Sequence, residues 1–237
     1  MYNNTFSGGI PESLGNIDLL ELQAQYAGLG GEIPESFWSN ENLVFLRLDH
    51  NSFEGTLSQG IGSLREMRDL RLNHNQLTGN LPLLLFALSD LRFLLLSNNQ
   101  FDGQIRNGFD SWTSLDFIDL GHNDFTGFIP DSLFEIETLR IAYLDHNRLS
   151  GTIPSNFGRS MALQDLYLHN NELRGPVPPI EMGQLGNLTE FLVNDNALTG
   201  VMPASICALP LENLWADCAG MPPELECQCC TDCFPIS

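Results

Sequence analysis

Apolar and polar positions alternate along this chain in one repeating frame, clearest from Leu43 to Leu57: L-x-x-L-x-L-x-x-N-x-F-x-G-x-L. The last three positions of L-x-x-L-x-L alternate, which suits a short strand with one buried face. Strands are therefore predicted near 21–25, 45–49, 69–73, 93–97, 117–121, 141–145, 165–169 and 190–194. The Asn of the frame falls at 51, 75, 99, 123, 147 and 171, always 24 residues apart, and again at 196 after 25. Two residues on, Phe53, Leu77, Phe101, Phe125, Leu149, Leu173 and Leu198 supply a second apolar column. Gly55, Gly79, Gly103, Gly127, Gly151, Gly175 and Gly200 follow, and predict a bend that needs positive φ or a close backbone approach. The half after each Gly often reads I-P, so Pro is expected to close the extended piece and open a short helical turn.

A fixed period of this length with this leucine spacing is the signature of a leucine-rich repeat solenoid. One such strand cannot bury its apolar side alone, whereas stacked repeats bury a continuous core. The expected fold is an α/β repeat solenoid: a curved superhelix, with a parallel β-sheet on the concave face and short 3-10 turns on the convex one. An Asn amide offers donors and an acceptor to the backbone of a buried turn, so the Asn column reads as a ladder of hydrogen bonds. Ala27 stands where the first Asn is expected and predicts a missing rung. The expected organisation is a partial repeat over 1–18, eight repeats of 23–25 residues over 19–210, and a cysteine-rich cap over 211–237. Met1 stands directly before the middle of a repeat, which reads as a chain without its natural beginning.

Charge narrows the function classes. Thirty acids against ten bases, all of them Arg, give a net charge of −20. Such a chain is poorly suited to hold nucleic acid or an anionic membrane through charge. No apolar run is long enough for a transmembrane helix. Enzyme signatures such as G-x-S-x-G, H-E-x-x-H or a phosphate-binding loop are absent, so no catalytic residue and no cofactor or metal is expected.

All six cysteines, Cys207, Cys218, Cys227, Cys229, Cys230 and Cys233, lie in the last 31 residues. Clustering at one end predicts a disulfide-stapled cap over the last repeat. Zinc is the alternative, because Cys230-x-x-Cys233 has a ligand-like spacing. Six cysteines allow fifteen pairings, and sequence does not choose among them. The sequons at Asn3 and Asn187 are expected glycosylation sites and agree with secretion.

The extended pattern L-x-x-L-x-L-x-x-N-x-L-x-G-x-I-P resembles the plant-type leucine-rich repeats of receptor ectodomains and polygalacturonase-inhibiting proteins. The tail LENLWADCAGMPPELECQCCTDC is similar to cysteine-rich ends of repeat proteins from diatoms and related algae. The resemblance implies a second short strand near each G-x-I-P and an extracellular or cell-surface recognition role. It carries over no ligand.

Outward positions of the strands supply the candidate site. Arg47 and Arg71 occupy neighbouring strands, where two guanidinium groups repel unless an anion lies between them. They read as a carboxylate or sulfate clamp, or as partners of Asp49 and Asp69. His50, His74, His122 and His146 share one column, with His169 one place earlier. They read as a pH switch or metal ligands, or as a position that tolerates polar residues. Phe93, Leu95, Phe117, Ile141, Tyr143 and Tyr167, with Phe45 nearby, read as an apolar patch that core packing does not require. The function expected is recognition of a protein or peptide ligand on the concave face, as a receptor-like ectodomain or a soluble inhibitor. A structural or adhesive surface protein acting through self-association is the alternative.

Overall fold

The computed structural model describes residues 8–219 and 224–235. It is a leucine-rich repeat fold divided into two units, residues 1–103 with 111–124, and residues 104–110 with 125–237. In the first unit the main sheet is parallel and in sequence order: Glu21–Gln23, Phe45–Arg47, Asp69–Arg71, Phe93–Leu95 and Phe117–Asp119. In the second it runs Ile141–Tyr143, Asp165–Tyr167, Glu190–Leu192, Asn213–Ala216 and Asp232–Cys233, also parallel. Each unit has a second parallel sheet just after the frame Asn. Its strands are Gly30–Glu32, Ser52–Thr56, Gln76–Gly79 and Gln100–Phe101 in the first unit. In the second they are Thr126–Phe128, Arg148–Gly151, Glu172–Gly175 and Ala197–Leu198.

The strands start where the alternation places them but are shorter, three residues in the eight frame repeats. The residue before each frame Asn takes a left-handed conformation, from His50 at φ 56° to His146 at φ 50°, and this turns the chain out of the strand. Five of the short 3-10 turns follow Pro11, Pro34, Pro82, Pro130 or, in one repeat, Ser58. Ser58 compensates for the missing ring, since its hydroxyl accepts the Gly60 N–H.

The core is the inward strand column together with the Phe/Leu column. Leu46, Leu70, Leu94, Ile118, Ala142 and Leu166 are fully buried, as are Phe53, Phe101 and Phe125. Between these columns lies the Asn ladder. Asn75 Nδ2 donates to the carbonyls of Leu48 and Leu72 at 3.0 Å, and its Oδ1 accepts the Phe53 N–H at 3.0 Å. Asn171 repeats the arrangement with Leu144, Leu168 and Leu149. Each Asn thus joins its own repeat to the one before and satisfies backbone groups that burial would strand. At the expected gap, Asn51 of the next repeat accepts both the Ala27 and Leu29 N–H groups, so the Ala27 backbone does not go unpaired. The seven frame glycines all have φ between 71° and 95°.

The cap is closed by Cys207–Cys229, Cys218–Cys233 and Cys227–Cys230. Cys230 and Cys233, the pair with zinc-like spacing, belong to different bridges. Asp232–Cys233 pairs with Asn213–Ala216, so the bridged tail supplies the final strand of its sheet.

Candidate functional site

Inward positions of the main-sheet strands are spent on the core, so chemistry must come from the outward columns. Neighbours there stand about 4.8 Å apart, and side chains in register screen one another from water. Phe45, Phe93, Leu95, Phe117, Ile141, Tyr143 and Tyr167 are accordingly half-buried rather than exposed, and Leu192 is buried. The exposed large apolar side chains lie elsewhere, at Leu20, Tyr26, Leu83, Leu84, Phe128, Met161, Met182 and Val201 among others.

In the first unit Arg47 and Arg71 are in register, as are Phe93 and Phe117. The carboxylate between the two arginines is Asp69, only 2% exposed. Its Oδ2 accepts Arg47 Nε at 3.0 Å and Nη2 at 2.5 Å. Its Oδ1 accepts Arg71 Nε at 2.8 Å, and Oδ2 also takes Arg71 Nη2 at 3.1 Å. Asp49, the other partner expected along the strand, instead meets His50 Nδ1 at 3.1 Å. One buried carboxylate therefore serves two guanidinium groups, and the cluster keeps one excess positive charge. Arg71 and Arg92 also lie over the Phe93 ring, at 5.8 and 5.9 Å from its centroid, within cation–π range.

In the second unit Tyr143 and Tyr167 stack at 4.2 Å with a 17° interplanar angle. Beside them Asp165 is in register with Glu190. Burial and the Glu190 charge raise the Asp165 carboxyl above its ordinary value, and the same two causes raise the Tyr167 phenol. Ile141 lies opposite Asp165 in the register.

The histidine column has a backbone explanation. Tyr26, His50, His74, Asn98, His122, His146, Asn170 and Asp195 all have φ between 50° and 56°. Asn, Asp and His are the side chains best tolerated there. That composition was a readable signal of left-handed geometry. Tyr26, His50 and His74 stack ring on ring, each step 4.1 Å. Burial and the His50 charge lower the His74 pKa below its usual value. In the second unit His146 Nδ1 meets Asp145 at 2.9 Å and His169 Nε2 approaches the same carboxylate at 3.8 Å.

Asn187 is exposed, and its amide donates to the Met161 carbonyl at 3.0 Å. Asn3, the other expected glycosylation site, lies outside the described residues. No helix among the described residues is long and apolar enough to cross a membrane.

Comparison with known proteins fits this geometry. The leucine-rich repeat family model matches residues 42–64, 90–112, 114–136 and 138–160. A search of curated protein sequences returns no match. Among solved structures the chain is similar to the ectodomain of the plant membrane receptor kinase GASSHO1/SCHENGEN3 from Arabidopsis thaliana, solved in complex with CASPARIAN STRIP INTEGRITY FACTOR 2. Identity is 36%, the TM-score 0.85, and the match covers 89% of this chain and 26% of that one. It is also similar to the Arabidopsis receptor kinase HAESA, solved with the peptide hormone IDA and the co-receptor SERK1: 27% identity, TM-score 0.70, covering 91% and 40%. A plant ice-binding protein matches at 27% identity and TM-score 0.77, covering 90% and 69%. The chain thus spans about a quarter of the first receptor ectodomain.

Proposed function

We propose that this leucine-rich repeat protein is an extracellular recognition module that binds a protein or peptide on the outer face of its main sheet. The observation that carries the reading is the Arg47–Asp69–Arg71 cluster with Phe93 beside it. A buried carboxylate orients both guanidinium groups but neutralises only one of them. An incoming carboxylate or sulfate would restore balance through charge-assisted hydrogen bonds. Phe93, Leu95 and Phe117 supply apolar contact in the same unit, and the stacked Tyr143 and Tyr167 offer the other unit an aromatic surface of its own. Half-buried aromatics of this kind dominate interface energies. Peptide recognition by plant receptors of the same fold supports the reading, as do three disulfides, which persist in oxidising compartments. The binding chemistry here needs no catalytic group.

The test is a panel of synthetic peptides, each with an apolar or aromatic stretch and made with a free or an amidated C-terminus. Candidates come from extracellular peptides captured by the intact chain. Affinity is expected to fall by about 2 kcal/mol or more in Phe117→Ala or Tyr143→Ala. It is expected to fall less in Arg47→Ala, since Asp69 already holds that side chain. Unchanged affinity in the Phe117→Ala, Tyr143→Ala double variant would remove this face from consideration. Self-association of the uncomplexed chain, with no peptide bound, would favour the adhesive alternative.

A further inference from the structure

The turn that leads into each main-sheet strand faces solvent. In five consecutive repeats it carries two exposed polar residues: Glu41-Asn42, Arg65-Glu66, Ser89-Asp90, Thr113-Ser114 and Glu137-Thr138. In the next three the pair reads Met161-Ala162, Gly186-Asn187 and Leu209-Pro210. Polar cover is lost on either side of Asn187 and retained only there. These three turns are stacked: the Gln164 carbonyl accepts the Thr189 and Glu190 N–H groups, and the Thr189 carbonyl accepts those of Glu212 and Asn213. Met161 is 58% exposed at the centre of its turn. Its carbonyl is the group to which Asn187 Nδ2 donates.

We propose that Asn187 carries an N-linked oligosaccharide whose inner sugars cover the Met161 and Leu209 turns. The acceptor sequence Asn187-Leu188-Thr189 is complete. The amide is exposed, and its column neighbours Ala162 and Pro210 are small or rigid and uncharged. In the attachment step Nδ2 attacks the anomeric carbon of a polyprenyl-diphosphate-linked oligosaccharide. The N–C bond forms, the sugar–phosphate bond breaks, polyprenyl diphosphate leaves with the electron pair, and the amide gives up one proton to base. The linked amide keeps its second N–H, which remains available to the Met161 carbonyl and would direct the sugar along that turn. Carbohydrate there supplies the solvent-facing polarity that the five preceding turns obtain from side chains. The inference rests on the extracellular reading, since the donor meets the chain only on the secretory route.

The experiment uses the full chain from its native cells and, in parallel, the chain secreted from eukaryotic culture behind a leader. The peptide containing Asn187 should carry a glycan that peptide:N-glycosidase removes, leaving Asp at that position. Asn187→Gln and Thr189→Val should each lose that glycan, and Thr189→Ser should retain it. Enzymatic removal should raise binding of an apolar fluorescent dye severalfold, and Met161→Glu should reverse most of the rise. An unmodified Asn187 on the leader-driven, disulfide-bonded chain overturns the inference while the extracellular reading stands. A native chain with free thiols and no glycan overturns the extracellular reading and the inference with it.

Discussion

The two units of this protein are built alike and charged alike, yet their outer sheet faces arrange their charges differently. Each unit carries 15 acids and 5 arginines, a net charge of −10. In the first, a buried Asp69 is outnumbered by Arg47 and Arg71. In the second, Asp165 stands opposite Glu190, and proximity raises its pKa. The Asn ladder makes the same hydrogen bonds in both units, at Asn75 as at Asn171, so it specifies the fold without specifying a ligand. The outward columns differ between the units in the residues they present. Total charge is a poor guide here, because the same −10 contains a local cation in one unit and a local pair of acids in the other.

The largest expected difference between the units comes from their covalent links. Three disulfides staple the second unit, and the first has none among the described residues. Replacing Cys207 and Cys229 together by Ala reopens a link across 22 residues and should cost about 3 kcal/mol. Hydrogen exchange should accelerate at the strands of 190–216 and stay unchanged at those of 45–71. Uniform acceleration would mean that the units unfold as one.

Next in size is the ladder, where the units should respond equally. Asn75→Ala and Asn171→Ala each strand three or four backbone groups and should cost about 1–3 kcal/mol. Denaturant melting of the two variants checks this. A large disparity would show that the repeats share a frame but not its energetics.

How much of this was legible in the sequence follows from where each signal lives. Strand starts were readable to the residue, because alternation of leucines reports burial directly. Strand ends were not: the run was carried two residues too far, although His, Asn and Asp before each frame Asn already marked a left-handed turn. The arginine cluster was half legible. Sequence offered Asp49 and Asp69 as partners, and the fold gave Asp69 to both guanidinium groups because Asp49 turns toward His50. The disulfide pairing was illegible, since six closely spaced cysteines impose no unique order. Exposure was overestimated at Phe93, Phe117, Tyr143 and Tyr167, because in-register neighbours shield one another, a cross-repeat effect that a single repeat does not display.

A smaller and more diagnostic contrast is the effect of removing each acid. Asp69→Ala leaves two guanidinium groups on neighbouring strands with nothing between them, and should cost about 1–3 kcal/mol. Asp165→Asn should be neutral or slightly stabilising at neutral pH, because it removes a carboxylate that burial and Glu190 already disfavour. Thermal melts of the two variants test the opposite signs. A loss of stability in both would mean that Asp165 is held by hydrogen bonds, such as that from Thr189, more strongly than Glu190 repels it.

The smallest expected effect is the response to pH, and it too should differ in sign between the units. His74 has a pKa lowered below 6.5 in the folded state, chiefly through burial and then through the neighbouring His50. Below that value the unfolded chain binds the proton more readily, so the stability His74 contributes is complete above pH 6.5 and is lost as pH falls toward the folded pKa. Asp165 and Asp217 are shifted the other way, raised above 3.8 by burial in both cases. Folded protein binds those protons more readily, so their contribution is complete below pH 3.8 and is lost as pH rises through the folded pKa. Mild acidification near pH 6 should therefore loosen the first unit around the His50–His74 stack before it changes the second. Continuing toward pH 4 should relieve the Asp165–Glu190 repulsion in the second unit. Hydrogen exchange followed at fixed temperature across this range separates the two by location. His74→Asn, which keeps a side chain suited to the left-handed turn, should abolish the first step alone. Persistence of that step in His74→Asn would assign it to another histidine of the column.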